Sequence, residues 1–200
     1  ITNFAQSFGM ALLNSSLAAY GANKVAAMGI TQKIYSIVIL VIVGFAFGAQ
    51  PLIGYNYGAK NWQRLKGILR FATLVLVAYA IIVGGLLIIF AKPVTALFMN
   101  QASIVSAGSY MLIATIITTP FVGIILVYTT VFQSIGNAWG AFVMAITRQG
   151  IIYFIVLEIL KSTLGYHGIV WSQAASDILT WIIGYFMFKK SLDLKDKLKK

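Results

Sequence analysis

The sequence contains no cysteine, a single histidine and only four acidic residues among its 200 residues. Without cysteine the chain forms no disulfides and binds no metal through thiolates. Charged residues make up 10% of the chain, whereas soluble domains carry about 25%. Hydrophobic residues make up 60%, which leaves too few polar residues to cover a soluble fold of this size. Its surface must therefore face lipid, and we predict a polytopic, all-α membrane protein.

Long stretches without charge mark the expected membrane spans. A span needs roughly 20 apolar residues to cross about 30 Å of hydrocarbon, and its backbone must satisfy its own hydrogen bonds, which demands helix. The stretches are too long and too continuously apolar for barrel strands, which alternate polar and apolar residues. We predict one six-helix domain over residues 1–188, followed by a basic tail over residues 189–200. The six helices are predicted at residues 1–20, 31–54, 71–91, 103–134, 141–164 and 169–188.

The basic residues are distributed unequally between the two sides that six spans define. Eleven lie on one side, counting the loop that begins at Lys60, the tail, and Arg148, which we place at the inner end of its helix. The other side has four, namely Lys24, Lys33, Lys92 and Lys161. By the positive-inside rule the richer side, with the tail, is cytoplasmic in the plasma membrane. This asymmetry accounts for the net charge of +11, and we expect no nucleic-acid partner.

The first residue is an isoleucine within an apolar stretch, and no basic segment precedes it. That arrangement is not typical of a signal peptide. We therefore expect the sequence to be a piece of a longer protein.

Polar side chains inside the predicted helices fall on common faces. An unpaired polar group is costly in lipid, so such faces indicate packed surfaces or water-filled cavities. On the first helix, the spacing of Asn3, Ser7 and Asn14 places them on one face. We predict a substrate or cation pathway formed by Asn3, Ser7, Asn14, Tyr35, Gln50, Thr118, Thr119, Gln133, Gln173 and Asp177.

Pro120 interrupts the fourth predicted helix, because it removes one backbone hydrogen bond and kinks or loosens the helix. Two interpretations stay open for the threonines that precede it. They satisfy the carbonyl groups that the proline frees, or they line a cavity beside a hinge for conformational change. We predict Pro120 as that hinge.

Two acids, Glu158 and Asp177, fall near the middle of their spans. A charged acid that faces lipid costs on the order of 3 kcal/mol, so each must face the interior and be paired or protonated. Glu158 has Lys161 one turn away, which predicts a local ion pair. Asp177 shares a polar stripe with Gln173 and Thr180, and both a helix–helix hydrogen bond and a transport role remain open for it.

Several ordered motifs resemble one transporter family. The stretch GAQPLIGYNYGAK at residues 48–60 is the most specific of them. FQSIGNA at residues 132–138, RQGIIY at residues 148–153 and SQAASDIL at residues 172–179 follow at the expected spacing. Together they resemble the multidrug and toxic compound extrusion (MATE) family over essentially the whole chain. There the motifs extend from inside helix seven to the last helix.

The resemblance implies the carboxy-terminal six-helix lobe of a twelve-helix antiporter. Its partner would be the amino-terminal lobe, and its substrates small amphipathic or cationic compounds, exchanged for Na⁺ or H⁺ without a cofactor. One branch of the family has acids on helices seven and ten, whereas residues 1–20 and 103–134 contain none here. The sequence therefore looks more like the branch of MepA-type exporters, with the main coupling acid in the other lobe.

Three other functions compete with drug export. A lipid-linked oligosaccharide flippase of the same superfamily would share the architecture but usually has a more basic cavity. We count only Lys161 as a basic residue well inside a span, which favours a cationic or neutral substrate. An intramembrane enzyme would need a catalytic pair or a metal cluster in the spans, and neither acid lies in a recognisable motif, so we predict no enzyme. A purely structural membrane subunit is the third.

Overall fold

The computed structural model describes residues 2–192, apart from the side chains of residues 2–5 and 149. This part of the chain is helical almost throughout, and it contains nine helices. They are α1 (Thr2–Ala18), α2 (Ala22–Gly58), α3 (Trp62–Ile89), α4 (Ala91–Ala96), α5 (Ala102–Ile116), α6 (Thr119–Ser134), α7 (Ala138–Gln149), α8 (Ile151–Leu164) and α9 (Tyr166–Leu192).

Apart from the short α4, the helices group into six segments. By length and composition α2, α3 and the combined segment Ala138–Leu164, formed by α7 and α8, are able to cross a membrane. The pair α5 and α6 is a fourth such segment if the two helices, bent by 45°, are taken as one span. The other two segments are α1, with 17 residues, and α9, with 27. The chain is therefore an all-α, polytopic membrane protein.

Several helices extend beyond the apolar stretches that locate them. α2 begins at Ala22, well before the predicted residue 31, and α3 begins at Trp62 instead of residue 71. The Asn61 side chain caps α3 by accepting a hydrogen bond from the Arg64 backbone N–H at 3.1 Å. Charge marks where the hydrocarbon ends, not where the helix ends, because basic side chains reach water from a helix that continues past the boundary.

The break between α5 and α6 lies just before Pro120. Thr119 and Pro120 form the first turn of α6, where the missing proline N–H leaves no helical hydrogen bond unmade. The Thr115 hydroxyl donates to the Met111 carbonyl oxygen at 2.9 Å, and the Thr118 hydroxyl lies 3.4 Å from the Thr115 carbonyl oxygen. The Thr119 hydroxyl is buried and has no hydrogen-bond partner among the described residues. The predicted single helix over residues 103–134 is thus two helices.

A second break, at Gly150, divides the predicted helix over residues 141–164. A side chain at this position would place its Cβ 2.6 Å from the Ile146 carbonyl oxygen, so only glycine allows the backbone to take this path. The Gly150 N–H donates to the same carbonyl at 2.9 Å and ends α7, and α8 starts at the next residue. The break places the last turn of α7, with Arg148, beside α9.

Glycines bring some helices close together, and the sequence predicts one of these contacts. The spacing of Gly44 and Gly48 on α2 predicts a close helix contact. A Cβ at either position would meet no atom within 4 Å, so neither glycine packs closely against another helix among the described residues. Close approach does occur at Gly84, which the pair Gly84-Gly85 on α3 predicts, since a Cβ there would lie 3.1 Å from Ile116. It also occurs at Gly123, where a Cβ would lie 3.3 Å from Leu76. α3 therefore packs closely against α5 and α6.

Candidate functional site

Asp177 lies on α9 in the interior of the lobe, and none of its surface is exposed. Its carboxylate accepts three hydrogen bonds from three different side chains. Arg148 Nε donates at 3.2 Å, the Thr118 hydroxyl at 3.2 Å and Gln173 Nε2 at 3.3 Å. A carboxylate offers about four acceptor sites, so these partners satisfy most of them. The geometry is that of a paired, ionised acid.

Arg148 completes a network between distant segments. While its Nε donates to Asp177, its Nη2 donates to the Tyr35 hydroxyl on α2 at 2.9 Å. The neighbouring Ser176 hydroxyl donates to the Arg148 carbonyl oxygen at 3.2 Å and holds the end of α7 against α9. With Thr118 at the break before α6, the network joins α2, α7 and α9 to that break.

The position of Arg148 corrects the interpretation drawn from its sequence context. Its side chain is only 14% exposed and forms an ion pair inside the bundle, so it does not mark an inner membrane boundary. The premise that Lys161 is the one basic residue well inside a span is therefore wrong. Ion pairing explains the difference, because a buried acid compensates the charge that a lone arginine would carry into the membrane.

Two adjoining cavities lie next to the network. One, of about 420 Å³, is bounded by Arg148 together with Gln6, Tyr35, Thr129 and Gln133. The apolar side chains Val43, Phe47, Ile125 and Met144 form much of its remaining wall. The other cavity, of about 280 Å³, shares Gln6 and Tyr35 and is otherwise lined by residues that include Gln32, Ser36, Tyr153 and Gln173. Such a mixture of apolar wall and a few polar groups is typical of small-molecule sites.

Some of the predicted pathway residues meet at these cavities and some do not. Tyr35, Gln133 and Gln173 line them, and Thr118 and Asp177 form the buried network behind them. The other predicted residues lie elsewhere. Ser7 is exposed, Asn14 is half-buried, Thr119 is buried, and Gln50 contributes its backbone carbonyl to a hydrogen bond from Ser134 at 3.2 Å. The side chain of Asn3 lies outside the described residues.

Sequence reasoning did not assign four of the residues that line the site. On α1 it is Gln6, and not Ser7, that lines both cavities. Met10, one turn later, lines the smaller cavity. Tyr153 on α8 is buried, and its hydroxyl lies beside that of Ser172, which donates to the Ile169 carbonyl oxygen at 2.7 Å. The sequence did contain a signal for Arg148 as a site residue, because it stands alone in a long stretch without other charges.

The other acid lies outside this network. Lys161 Nζ lies 3.5 Å from the Glu158 carboxylate, which confirms the predicted local ion pair. The Glu158 side chain is 46% exposed, and such surface pairs contribute little stability, at most about 1 kcal/mol. Glu158 therefore has no part in the candidate site.

His167, which the sequence predicts as a solvated loop residue, lies in the first turn of α9. It is exposed as predicted, but its Nδ1 lies 2.8 Å from the Tyr110 hydroxyl. Trp171 Nε1 donates to the same hydroxyl, also at 2.8 Å. These contacts tie the start of α9 to α5 at the end of the lobe opposite the basic loop. Within the described residues no cluster of three potential metal ligands occurs.

Comparison with known proteins identifies the family. A profile of the MatE family matches residues 1–160. The multidrug export protein MepA of Staphylococcus saprophyticus is 31% identical over 168 residues, which is 84% of this chain and 37% of that protein. MepA of Staphylococcus haemolyticus is 27% identical over 176 residues, 88% of this chain and 38% of that protein. The chain thus spans less than half the length of these relatives, which are named as export proteins.

Solved structures of MATE transporters share the fold of the chain. A crystal structure of MATE in complex with MaL6 superposes with a TM-score of 0.89 at 21% identity, covering 100% of this chain and 45% of that one. An outward-facing multidrug resistance MATE family transporter gives 0.88 at 22%, again covering 100% and 45%. An inward-facing one gives 0.89 at 21%, covering 100% and 46%. The chain therefore belongs to the MatE family, of whose transporters it represents one helical lobe.

Proposed function

We propose that the chain is the carboxy-terminal lobe of an antiporter that exports amphipathic or cationic drugs in exchange for Na⁺ or H⁺. The similarity to MepA carries this proposal, because it extends over 84% of the chain. The amino-terminal lobe of the same transporter is the partner, and the two cavities face the cleft between the lobes. The protein resides in the plasma membrane with its basic tail in the cytoplasm.

Transport then proceeds by rocking of the two lobes about a site between them. The lobe fold superposes equally well on an outward-facing and an inward-facing transporter, which supports movement of the lobe as a unit. The network around Asp177 gives a physical reason, since it links α2, α7 and α9 to the break before α6. A lobe with these internal bonds moves as one body, and the bonds that change are those to its partner.

The buried ion pair also bears on the coupling ion. Asp177 is fully enclosed and already neutralised by Arg148, so it has little reason to bind a proton or a sodium ion during each cycle. We assign the exchange of Na⁺ or H⁺ to an acid of the amino-terminal lobe. Asp177 then maintains the shape of the cavity, with no cofactor involved.

The wall of the larger cavity fits amphipathic or cationic substrates. Arg148 lines it, but Asp177 compensates the charge, so the pair adds no net charge to the site. Phe47 and the other apolar residues offer area to an aromatic drug, and Gln133 and Thr129 offer hydrogen bonds. A lipid-linked oligosaccharide flippase remains the second candidate, favoured by the presence of an arginine in the cavity. The compensation by Asp177 argues against it.

Dye transport in inverted membrane vesicles containing the full-length transporter tests the proposal. Ethidium, a cationic aromatic dye, is expected to accumulate when a proton or a sodium gradient is imposed. Ala145→Trp, which fills the larger cavity, is expected to abolish most of this transport. Ile82→Trp adds the same side chain on the outer face of α3, where Ile82 is 63% exposed, and serves as the control. Equal transport by both variants, or no gradient-driven transport by the parent, would contradict the proposal.

A further inference from the structure

The outer face of α3 forms one side of a long groove of about 700 Å³ that is separate from the cavities of the site. Along α3 the groove is lined by four apolar residues, Leu74, Val77, Ala78 and Ile81. At the end nearer the start of α3 it is lined by Lys66 and Arg70. Tyr128 of α6 and Phe188 of α9 form the opposite side. The groove is therefore apolar along most of its length and basic at one end.

Close packing behind the groove explains its shape. Gly123 lets α6 approach α3, since a Cβ there would lie 3.3 Å from the Leu76 side chain. On the far side the rings of Tyr128 and Phe188 stack, with centroids 4.5 Å apart. The small side chains of Thr73 and Ala78 leave a depression between these walls. The groove thus has a packed floor and is open toward the surrounding membrane.

The dimensions and the charges of the groove fit one lipid molecule. Lys66 and Ile81 are fifteen residues apart on α3, a distance of about 22 Å at 1.5 Å per residue. That length lies within a hydrocarbon core of about 30 Å and exceeds the half that one leaflet contributes. Lys66 and Arg70 are exposed one helical turn apart, and neither forms an ion pair within the described residues.

We propose that this groove binds an anionic phospholipid, with an acyl chain along Leu74 to Ile81 and the headgroup phosphate at Lys66 and Arg70. Charge complementarity is the reason for assigning this ligand to the groove. Anionic headgroups attract lysine and arginine at the cytoplasmic face, and the arginine fork suits a phosphate. A second copy of the chain fits less well, because a twofold contact through this surface would bring the same basic residues toward each other.

Lipid binding to the purified, delipidated full-length transporter tests the proposal. Dioleoyl phosphatidylglycerol and dioleoyl phosphatidylcholine carry the same acyl chains, and we expect the anionic lipid to bind more tightly in native mass spectrometry. Lys66→Gln combined with Arg70→Gln is expected to weaken phosphatidylglycerol binding roughly thirtyfold, from about 1 kcal/mol per basic residue. Ala78→Trp, which fills the groove without changing its charge, is expected to weaken binding of this lipid as well.

The matched control removes two charges from the same end of the molecule but outside the groove. Lys60→Gln with Lys190→Gln does this, since neither lysine lines the groove and Lys190 lies about 200° around α9 from Phe188. We expect this control to bind phosphatidylglycerol like the parent, and we expect glycerol phosphate without acyl chains not to compete. Equal binding of both lipids, equal loss in both double variants, competition by glycerol phosphate, or lipid-independent dimers through α3 would each overturn the proposal.

Discussion

Asp177 and Arg148 carry opposite charges inside the lobe, where each stabilises the other. Removal of one partner leaves the other charge buried and alone, which costs about 3–5 kcal/mol, whereas removal of both costs far less. The sequence left two roles open for Asp177, and the pair with Arg148 supports the structural one. A transport role would make the acid itself indispensable. The two roles therefore predict different results for a variant in which both Asp177 and Arg148 are neutralised.

We therefore predict that Asp177→Asn lowers both the thermal stability and the dye transport of the full-length transporter. Adding Arg148→Gln to this variant is expected to restore much of both, because no buried charge then remains. Glu158→Gln, which breaks only a half-exposed pair, is the control and is expected to have little effect. Thermal unfolding and vesicle transport at matched expression measure this. A double variant that is stable but inactive would instead assign a coupling role to Asp177.

At the scale of the element, the break between α7 and α8 depends on Gly150. Gly150→Ala would place a methyl group 2.6 Å from the Ile146 carbonyl oxygen, and the clash would displace the last turn of α7 with Arg148. We expect a loss of stability of about 1–3 kcal/mol, as for other overpacked positions. Gly44→Ala is the control, because a Cβ there meets nothing within 4 Å. Equal melting temperatures for the two variants would refute the structural role of Gly150.

The elements also show what the sequence is able to predict. Charge-free stretches locate the helical segments, because a membrane span has to be apolar over its whole length. They do not locate helix ends, since α3 continues through Arg64, Lys66 and Arg70 in water or among headgroups. They also missed the Gly150 break, because glycine is frequent in membrane helices and does not by itself mark a break.

The sequence predicts the candidate site only in part, because some of its contacts lie within one helix and others lie between helices. Asp177 and Gln173 are one turn apart on α9, so their shared face follows from helix geometry. Arg148 and Asp177 are 29 residues apart, and only the packing of α7 against α9 brings them together. Pairing between helices depends on that packing, which periodicity within one helix does not determine.

At the scale of the whole molecule, the distribution of charge predicts the orientation of the lobe in the membrane. This chain contains no cysteine, so within it a single introduced cysteine is labelled without background. We predict that a cysteine at Asn61, beside the basic start of α3, is labelled by an impermeant maleimide only after the cells are permeabilised. A cysteine at Gly21 in the opposite loop is expected to be labelled in intact cells. Labelling of Asn61→Cys in intact cells would contradict this orientation.

The length of α2 has a mechanical consequence for such a lobe. Its 37 residues rise about 55 Å, well beyond a hydrocarbon core of about 30 Å, so both ends project toward water. Tyr35, near the middle of this helix, is bonded to Arg148 and moves with the interior. If α2 turns about Tyr35, a rotation of about 10° would move its Ala22 end by about 3 Å and its Gly58 end by about 6 Å. Spin labels at Asn23 and Gly58, at the two ends of α2, would therefore report a larger displacement than the one that occurs near the substrate.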